Sequence, residues 1–251
     1  MLREATVFGP IRTRRLGFSL GINLLPSQGK LCNFDCIYCE CGWNADGRDD
    51  KVLPTAAQVR SALEDKLSQC MLDGVRIDSI TFAGDGEPTL HPDFAMIVGD
   101  VIKLRDIYYP KATVSVLSNA TRIWDEKVFN ALRLVDNPIM KLDAPTTELV
   151  KKVNQPTFDY DVSRIVEGLA RFEGNFILQT MFLKGREFDS SSPEVLDGWM
   201  QIVRSLKPRM IMAYSIDRPT PQDGLVKFTE QQLKALVQPL LDEGFNIQIR
   251  A

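Results

Sequence analysis

The feature that most constrains the fold of this chain is its alternation of short apolar runs with longer amphipathic segments. Runs rich in branched residues predict strands over 19–25, 79–84, 113–119, 138–144, 176–183, 210–216 and 245–250. The segments between them start at Thr, Asp or Pro, as helices do, and predict helices over 56–72, 93–104, 126–135, 162–172, 194–206 and 230–243. Repeats of about 30 to 40 residues with this order indicate βα units, in which parallel strands are joined by right-handed crossovers.

Six such units and a last strand predict an α/β fold. A complete barrel would need eight units, so the barrel is predicted to be incomplete. The preferred architecture is an open, partial TIM-like barrel of about six βα units with parallel strands. A doubly wound open sheet is the alternative. No linker, low-complexity segment or repeat indicates a second domain, so residues 1–251 are predicted to form a single domain.

Charge and hydropathy exclude some locations and partners. The formal net charge of -3 provides no general attraction to nucleic acid. No apolar run approaches the roughly 18 to 20 residues that a membrane helix needs, and the first residues lack the apolar segment of a signal peptide. The five cysteines are odd in number and clustered, unlike a secreted disulfide framework. We therefore expect a cytoplasmic protein, with no membrane partner, whose reduced thiols bind metal or react.

Polar and reactive residues follow the predicted strands at their carboxyl ends. In a parallel α/β barrel these ends carry the chemistry, because the βα loops project there. The residues concerned are the cysteine loop after the first strand, then Gly84–Pro88, Ser118–Thr121, Lys141 and Asp143, Gln179 and Lys184, and Ser215, Asp217 and Arg218. We expect them to form one rim.

The cysteine loop, LCNFDCIYCECGW at residues 31–43, holds four of the five cysteines. The spacing of Cys32, Cys36 and Cys39 suits three irons of a cubane cluster, and the fourth iron would then lack a protein ligand. A metal site with an open position is typical of catalysis. Structural zinc is an alternative, but it would need Cys41 or His91 as its fourth ligand.

The remaining cysteines are predicted to have other roles. Cys41 is interpreted as a loop cysteine that binds no metal. Cys70 lies within a helical pattern and is predicted to belong to the core. The loop Gly42–Leu53 is either a lid or a connection to the first helix.

The spacing Cys32-x3-Cys36-x2-Cys39, with Tyr38 just before the third cysteine, resembles the signature of the radical S-adenosylmethionine (SAM) superfamily. The resemblance implies that the three cysteines are the metal ligands of a [4Fe–4S] cluster whose open iron binds SAM. It implies that SAM is cleaved reductively to methionine and a 5′-deoxyadenosyl radical, which abstracts hydrogen from a substrate. It also implies a low-potential electron donor of the flavodoxin or ferredoxin type.

The rim residues extend this resemblance. The segment Asp85-Gly86-Glu87-Pro88 is similar to the GGEP motif of the superfamily, with Asp in place of the first Gly, and this motif holds the methionine ammonium of SAM. Ser118 and Asn119 resemble the residues that bond the ribose, with capping of the following turn as the alternative. The residues predicted to bind the cofactor are Tyr38, Gly84, Asp85, Gly86, Glu87, Ser118, Asn119, Gln179 and Ser215.

A narrower resemblance covers most of the chain. The segments AGDGEPTL, MKLDAPT, KKVNQP, LQTMFLKG and YSIDRPTP are similar to stand-alone proteins related to the wyosine-forming (four-demethylwyosine synthase) tRNA enzymes. The resemblance leaves the substrate unidentified, and the candidates are a modified nucleoside or tRNA base, or a peptide. The acidic net charge and the single cysteine cluster weigh against tRNA. The alternatives are an activase of a glycyl-radical enzyme and a non-catalytic iron–sulfur or zinc protein.

The residues predicted to be catalytic are Cys32, Cys36, Cys39, Lys141 and Asp143. Lys141 and Asp143 are predicted to form a charge pair. They alternate with Met140 and Leu142, so both side chains point to one face of a strand. A purely structural ion pair is the alternative. Arg12, Arg14 and Arg15 are expected either to line the rim for an anionic substrate or to form a solvated N-terminal stretch.

Overall fold

The computed structural model describes residues 5–27, 29–46 and 52–251. Their strands are β1 (Val7–Thr13), β2 (Gly17–Ile22), β3 (Ser79–Phe82), β4 (Thr113–Ser118), β5 (Asn137–Lys141), β6 (Ile177–Met181), β7 (Leu183–Lys184), β8 (Met210–Tyr214), β9 (Val226–Lys227) and β10 (Ile247–Arg250). Their helices are α1 (Ala56–Leu72), α2 (Phe94–Tyr108), α3 (Glu126–Leu134), α4 (Thr147–Val153), α5 (Val162–Ala170), α6 (Pro193–Leu206) and α7 (Glu230–Asp242).

The strand order is that of wound βα units. One sheet has the order β1-β2-β3-β4-β5-β6-β8-β10, while β7 and β9 form a separate ribbon. β2, β3 and β4 are parallel neighbours, as are β5, β6, β8 and β10. A helix follows each of the first six predicted strands, so the α/β class is confirmed.

The chain divides into two compact units, and the first comprises residues 1–32, 44–118 and 122–138. Helices α1, α2 and α3 pack side by side in this unit. Helix α1 begins with a capping box at Thr55 and Gln58, which satisfies two backbone groups of its first turn. It buries Leu63, Leu67 and Cys70 at helical spacing. The prediction that Cys70 belongs to the core is therefore confirmed.

The second unit comprises residues 33–43, 119–121 and 139–251. Strand β6 is buried along its whole length, as is typical of a parallel strand covered on both faces. Trp199 of α6 is buried, and its indole Nε1 donates to the Thr180 hydroxyl of β6 at 3.0 Å. The indole also packs edge-on against Phe182, with ring centroids 5.3 Å apart, and these contacts hold α6 against β6.

Two elements differ from the prediction. Residues 7–13 pair with β2 as an antiparallel strand, which the sequence did not predict, and Arg12 lies on this strand exposed to solvent. The pairing is interrupted between Phe8 and Ile11, where Gly9 and Pro10 break the alternation that identifies a strand in sequence. Helix α4 has only seven residues, too few to show a helical period. Among the described residues, no helix is both long and apolar enough to cross a membrane.

Candidate cluster and cofactor site

The first unit places the buried Glu87 carboxylate after β3. Its Oε1 accepts hydrogen bonds from the Thr89 backbone N–H at 3.1 Å, the Thr89 hydroxyl at 2.6 Å and the Ser118 hydroxyl at 2.8 Å. Glu87 is also the N-cap of the short 3-10 turn Pro88–Leu90. Two of the predicted cofactor residues, Glu87 and Ser118, are thus brought together from the ends of β3 and β4.

Asp85 replaces the first glycine of the motif, and Asn23 accommodates it. The Asp85 side chain is fully buried, and its Oδ2 accepts from Asn23 Nδ2 at 3.2 Å. Asn23 Oδ1 in turn accepts from the backbone N–H groups of Asp85 and Leu25, each at 3.2 Å. Sequence reasoning did not assign Asn23. The available signal was a polar residue within the otherwise apolar run 20–25.

Gly86 lies where the DGEP segment meets the residue before Cys32. Its φ is 142°, and a Cβ there would be 1.8 Å from the Leu31 carbonyl oxygen. Leu31 N–H donates to the Asp85 carbonyl at 2.9 Å, and Glu87 N–H donates to the Leu31 carbonyl at 3.0 Å. This backbone pairing holds the start of the cysteine loop, and it requires glycine at position 86.

Gly86→Ala is expected to lower the free energy of unfolding by about 3 kcal/mol, because backbone must move away from the added Cβ. Urea denaturation monitored by circular dichroism would measure the loss. Gly74→Ala is the matched control, since Gly74 also has positive φ (65°) but nothing within 4 Å of a Cβ. Equal losses in the two variants would contradict the role assigned to the close approach.

The second unit holds a buried polar network behind the cysteine loop. The Tyr38 hydroxyl donates to the Asp143 carboxylate and accepts from Lys141 Nζ at 2.9 Å and Asn154 Nδ2 at 3.1 Å. Lys141 Nζ also donates to the Tyr214 hydroxyl at 3.0 Å and lies 3.8 Å from Asp143 Oδ2. Lys141 and Asp143 therefore form an ion pair, and its catalytic role stays a prediction. Sequence reasoning assigned neither Asn154 nor Tyr214 to this network.

The network fixes the protonation of its members. Burial alone would lower the pKa of Lys141, but the adjacent Asp143 carboxylate raises it above its usual value, so the ammonium is retained. Burial, and then Asp143, raise the pKa of Tyr38, which stays a neutral phenol. Burial raises the pKa of the Cys36 thiol to about 11, although Lys141 opposes the rise. A metal ion that replaces the thiol proton would therefore stabilise a Cys36 thiolate at this position.

The chemistry of the thiols fits an iron–sulfur cluster. The Cys36 side chain is buried, and those of Cys32 and Cys39 are half-buried. Cys36 Sγ accepts from Asn154 Nδ2 at 3.3 Å, and the Lys141 charge favours its anionic form. Over residues 5–27, 29–46 and 52–251, no group of three His, Cys, Asp or Glu side chains is arranged to hold a metal ion.

His91 is already engaged in another role. Its Nδ1 accepts from the Asp93 N–H at 3.0 Å, which makes Nε2 the donor to the Pro54 carbonyl at 2.9 Å. Both ring nitrogens are therefore occupied, and this counts against His91 as the fourth ligand of a structural zinc. Cys41 is half-buried, and its exclusion from metal binding stays a prediction.

Asn119 and Ser215, predicted to bind the cofactor, make structural hydrogen bonds. Asn119 Oδ1 accepts from the N–H and the hydroxyl of Thr121 at 3.1 and 2.7 Å, which is the turn-capping alternative. The Ser215 hydroxyl donates to the Phe182 carbonyl at 2.7 Å and accepts from the Phe228 N–H at 2.9 Å. Cofactor binding by these two residues stays a prediction.

Gln179 lies in the middle of β6, not at its end as predicted. Its side chain is buried, and its Nε2 has no hydrogen-bond partner among the described residues. The register pairs Gln179 with Lys141 of β5, so both side chains point to the same face. Since buried donors are normally paired, this amide is available to an acceptor on a ligand.

Residues 28–190 match the family model of the Radical SAM superfamily. The chain belongs to this superfamily. Radical SAM proteins use a [4Fe–4S] cluster and SAM, so the predicted family, cofactors and general enzyme class are confirmed.

Two relatives differ in how much of their length is matched. A protein named GTPase Obg from Brachyspira hyodysenteriae is 29% identical over 239 residues, which are 93% of this chain and 33% of the relative. A UPF0026 protein of Methanocaldococcus jannaschii is 31% identical over 190 residues, which are 74% of this chain and 56% of the relative. The radical SAM chain thus spans about a third of one relative and about half of the other.

The fold is shared with a solved radical SAM structure. A radical SAM methyltransferase from Sphaerobacter thermophilus superimposes with a TM-score of 0.70 and covers 92% of this chain at 14% identity. The match takes in 65% of the methyltransferase chain. At this identity the likeness shows the fold alone, and it confirms the predicted partial-barrel class of parallel βα units.

Proposed function

We propose that this chain holds a [4Fe–4S] cluster through Cys32, Cys36 and Cys39 and cleaves SAM reductively. When bound, the cluster supplies one electron to the sulfonium of SAM, so that methionine and a hydrogen-abstracting 5′-deoxyadenosyl radical form. The observation that carries the proposal is the Cys36 thiol, which lies within the matched cysteine motif beside an ammonium and an amide donor. A low-potential donor of the flavodoxin or ferredoxin type would provide the electron.

The residues of each unit have distinct tasks in this proposal. In the first unit, Glu87 and the backbone of Gly84–Gly86 receive the methionine ammonium of SAM, and the bonds to Thr89 and Ser118 hold the carboxylate in place. This preorganisation lets the ammonium bind without reorganising the loop.

In the second unit, Lys141 and Asp143 neutralise each other, so the network behind the cysteine loop carries a cation and an anion without net charge. Gln179 Nε2 donates to an oxygen of SAM or of the substrate. Tyr38 and Asn119 are proposed to complete the adenosine side, as the family resemblance implies, and Ser215 is proposed to bind the cofactor as a residue of the same rim. Closely packed side chains here would keep water from the radical.

The substrate proposed is a nucleoside, in RNA or free, or a peptide, and hydrogen abstraction from it would make the chain an oxidoreductase or transferase. The subgroup related to the wyosine-forming enzymes, the cytoplasmic location and a single domain over residues 1–251 belong to the same proposal. Because the chain spans only part of its relatives, the activity of those whole proteins is not transferred to it.

The proposal is tested by anaerobic reconstitution followed by reduction with SAM present. We expect 5′-deoxyadenosine and methionine to form, and the electron paramagnetic resonance (EPR) signal of the reduced cluster to change when SAM is added. Samples without reductant should form neither product. The proposal would be refuted by a sample that carries a full complement of reduced cluster, makes no 5′-deoxyadenosine and has an EPR signal that does not change when SAM is added.

A further inference from the structure

The segment after helix α4 lies along the cysteine loop and pairs with it. Ile37 N–H donates to the Val153 carbonyl at 3.1 Å, and Asp35 N–H donates to the Asn154 carbonyl at 2.9 Å. A bridge between Phe34 and Pro156 continues the antiparallel pairing. Because these bonds lie on both sides of Cys36, the backbone of this segment is held in place beside that cysteine.

Asn154 turns its side chain from this segment toward the Cys36 sulfur. The residue is 1% exposed, and its Nδ2 lies 3.3 Å from Cys36 Sγ, 3.1 Å from the Tyr38 hydroxyl and 2.7 Å from Asp143 Oδ2. An amide group carries two N–H donors, so one bonds the carboxylate and the other is shared by the sulfur and the phenol oxygen.

The surroundings determine which way the Asn154 amide points. The other Asp143 oxygen, Oδ1, accepts from the Met181 backbone N–H at 2.8 Å, which fixes the carboxylate. With the amide reversed, its oxygen would face that carboxylate, the phenol and the sulfur, and once Cys36 is a ligating thiolate no donor except the phenol proton could meet it. The amide nitrogen is therefore directed at Cys36 by a carboxylate that is itself anchored on β6.

A donor directed at a cluster ligand changes the reduction potential of the cluster. Reduction adds negative charge, part of which resides on the cysteine sulfurs, so an N–H···S bond stabilises the reduced state more than the oxidised one. Hydrogen bonds to the sulfurs are among the main determinants of these potentials. Partners outside the ligand shell also orient the ligands themselves.

We propose that Asn154 is a positioning residue that raises the reduction potential of the cluster by donating a hydrogen bond to Cys36 Sγ. The inference rests on the proposed function, in which Cys36 is a cluster ligand. Asn154 belongs to the KKVNQP segment, and the inference gives this segment a role beside those of the cysteine motif and the DGEP segment. In this role, the amide makes it easier for a low-potential donor to reduce the cluster.

The test is the midpoint potential of the reconstituted holoprotein, measured by EPR-monitored potentiometry for wild type, Asn154→Leu and Asn154→Ala. Leu keeps the approximate volume without a donor, and Ala removes the donor with less crowding. At a fixed potential we expect the ratio of reduced to oxidised cluster to fall about tenfold in both variants, which is a shift of about 59 mV to more negative potential for a one-electron couple.

Asn137→Ala is the matched control, because Asn137 donates its amide to the Ser115 hydroxyl at 3.1 Å in the first unit. Its potential should equal that of wild type. A wild-type potential in either Asn154 variant that retains its full iron content would overturn the inference. Loss of the cluster from both variants, with the control fully loaded, would also overturn it, since Asn154 would then be needed for assembly.

Failure of the inference and failure of the proposed function give different results. If wild type assembles no cluster or makes no 5′-deoxyadenosine, the proposed function is wrong. If wild type makes 5′-deoxyadenosine while the Asn154 variants retain its potential, only the role of Asn154 is wrong.

Discussion

Cys36→Ala is expected to abolish cluster assembly and to lower the rate of 5′-deoxyadenosine formation by at least about 10³-fold, because ligands that act as one unit cannot be removed singly without losing the whole function. Each of three thiolates is assigned one iron, and the loss of one leaves two protein ligands for the cluster. The measurements are iron and sulfide content per chain, the visible absorbance of the cluster, and the 5′-deoxyadenosine formed after reduction with SAM present.

Cys70→Ala provides the control for this prediction. Cys70 is also buried, but it lies in helix α1 among core leucines. Its replacement should cost about 1 kcal/mol of stability through a small cavity and leave the iron content unchanged. Normal iron content in the Cys36 variant would disprove the ligand assignment, and loss of iron in the Cys70 variant would show that the assay reports stability instead. Cys41→Ala should also retain its cluster.

Asp143→Ala is expected to lower the free energy of unfolding by about 3 to 5 kcal/mol, because it leaves the ammonium of Lys141, whose side chain is only 17% exposed, without its carboxylate. The Asp143 side chain is fully buried and accepts from Tyr38, Asn154 and the Met181 backbone, so several donors would lose their acceptor together. Urea denaturation of the metal-free protein separates this effect from any loss of the cluster.

Two further variants serve as comparisons for Asp143→Ala. Asp100→Ala breaks an ion pair with Arg60 whose side chains are 22% and 44% exposed, and it should cost less than about 1 kcal/mol. The double variant Lys141→Met with Asp143→Leu removes both charges and should recover part of the lost stability. A loss below about 1 kcal/mol in Asp143→Ala would show that the network contributes little to stability.

Local chemistry was enough to predict most of the regular structure. The caps at Thr55, Asp125, Asp161 and Thr229 accept hydrogen bonds from the first-turn N–H groups, as the residue types predict. The predicted strands each overlap a strand of the structure. Strand β1 was missed because its alternation is broken at Gly9 and Pro10, and helix α4 because seven residues show too little of a period.

The candidate site was predictable where its residues are close in sequence. Cys32, Cys36 and Cys39 form a motif within eight residues, and the DGEP segment is continuous. The network behind the loop was not predictable in this way, because Tyr38 and Asp143 are 105 residues apart and Cys36 and Asn154 are 118 apart. A single sequence contains no signal that pairs residues at such separations.

Hydrophobic period, capping residues and cysteine spacing all act within a few residues, so the order of amino acids alone establishes the βα alternation, the cluster motif and the family. Which donor meets which acceptor depends on strand register and on how two loops pair, and these are set by packing over the whole unit. Only the folded chain therefore shows that Asp85 is held by Asn23, that the Ser215 hydroxyl is committed to backbone, and that Asn154 reaches the Cys36 sulfur.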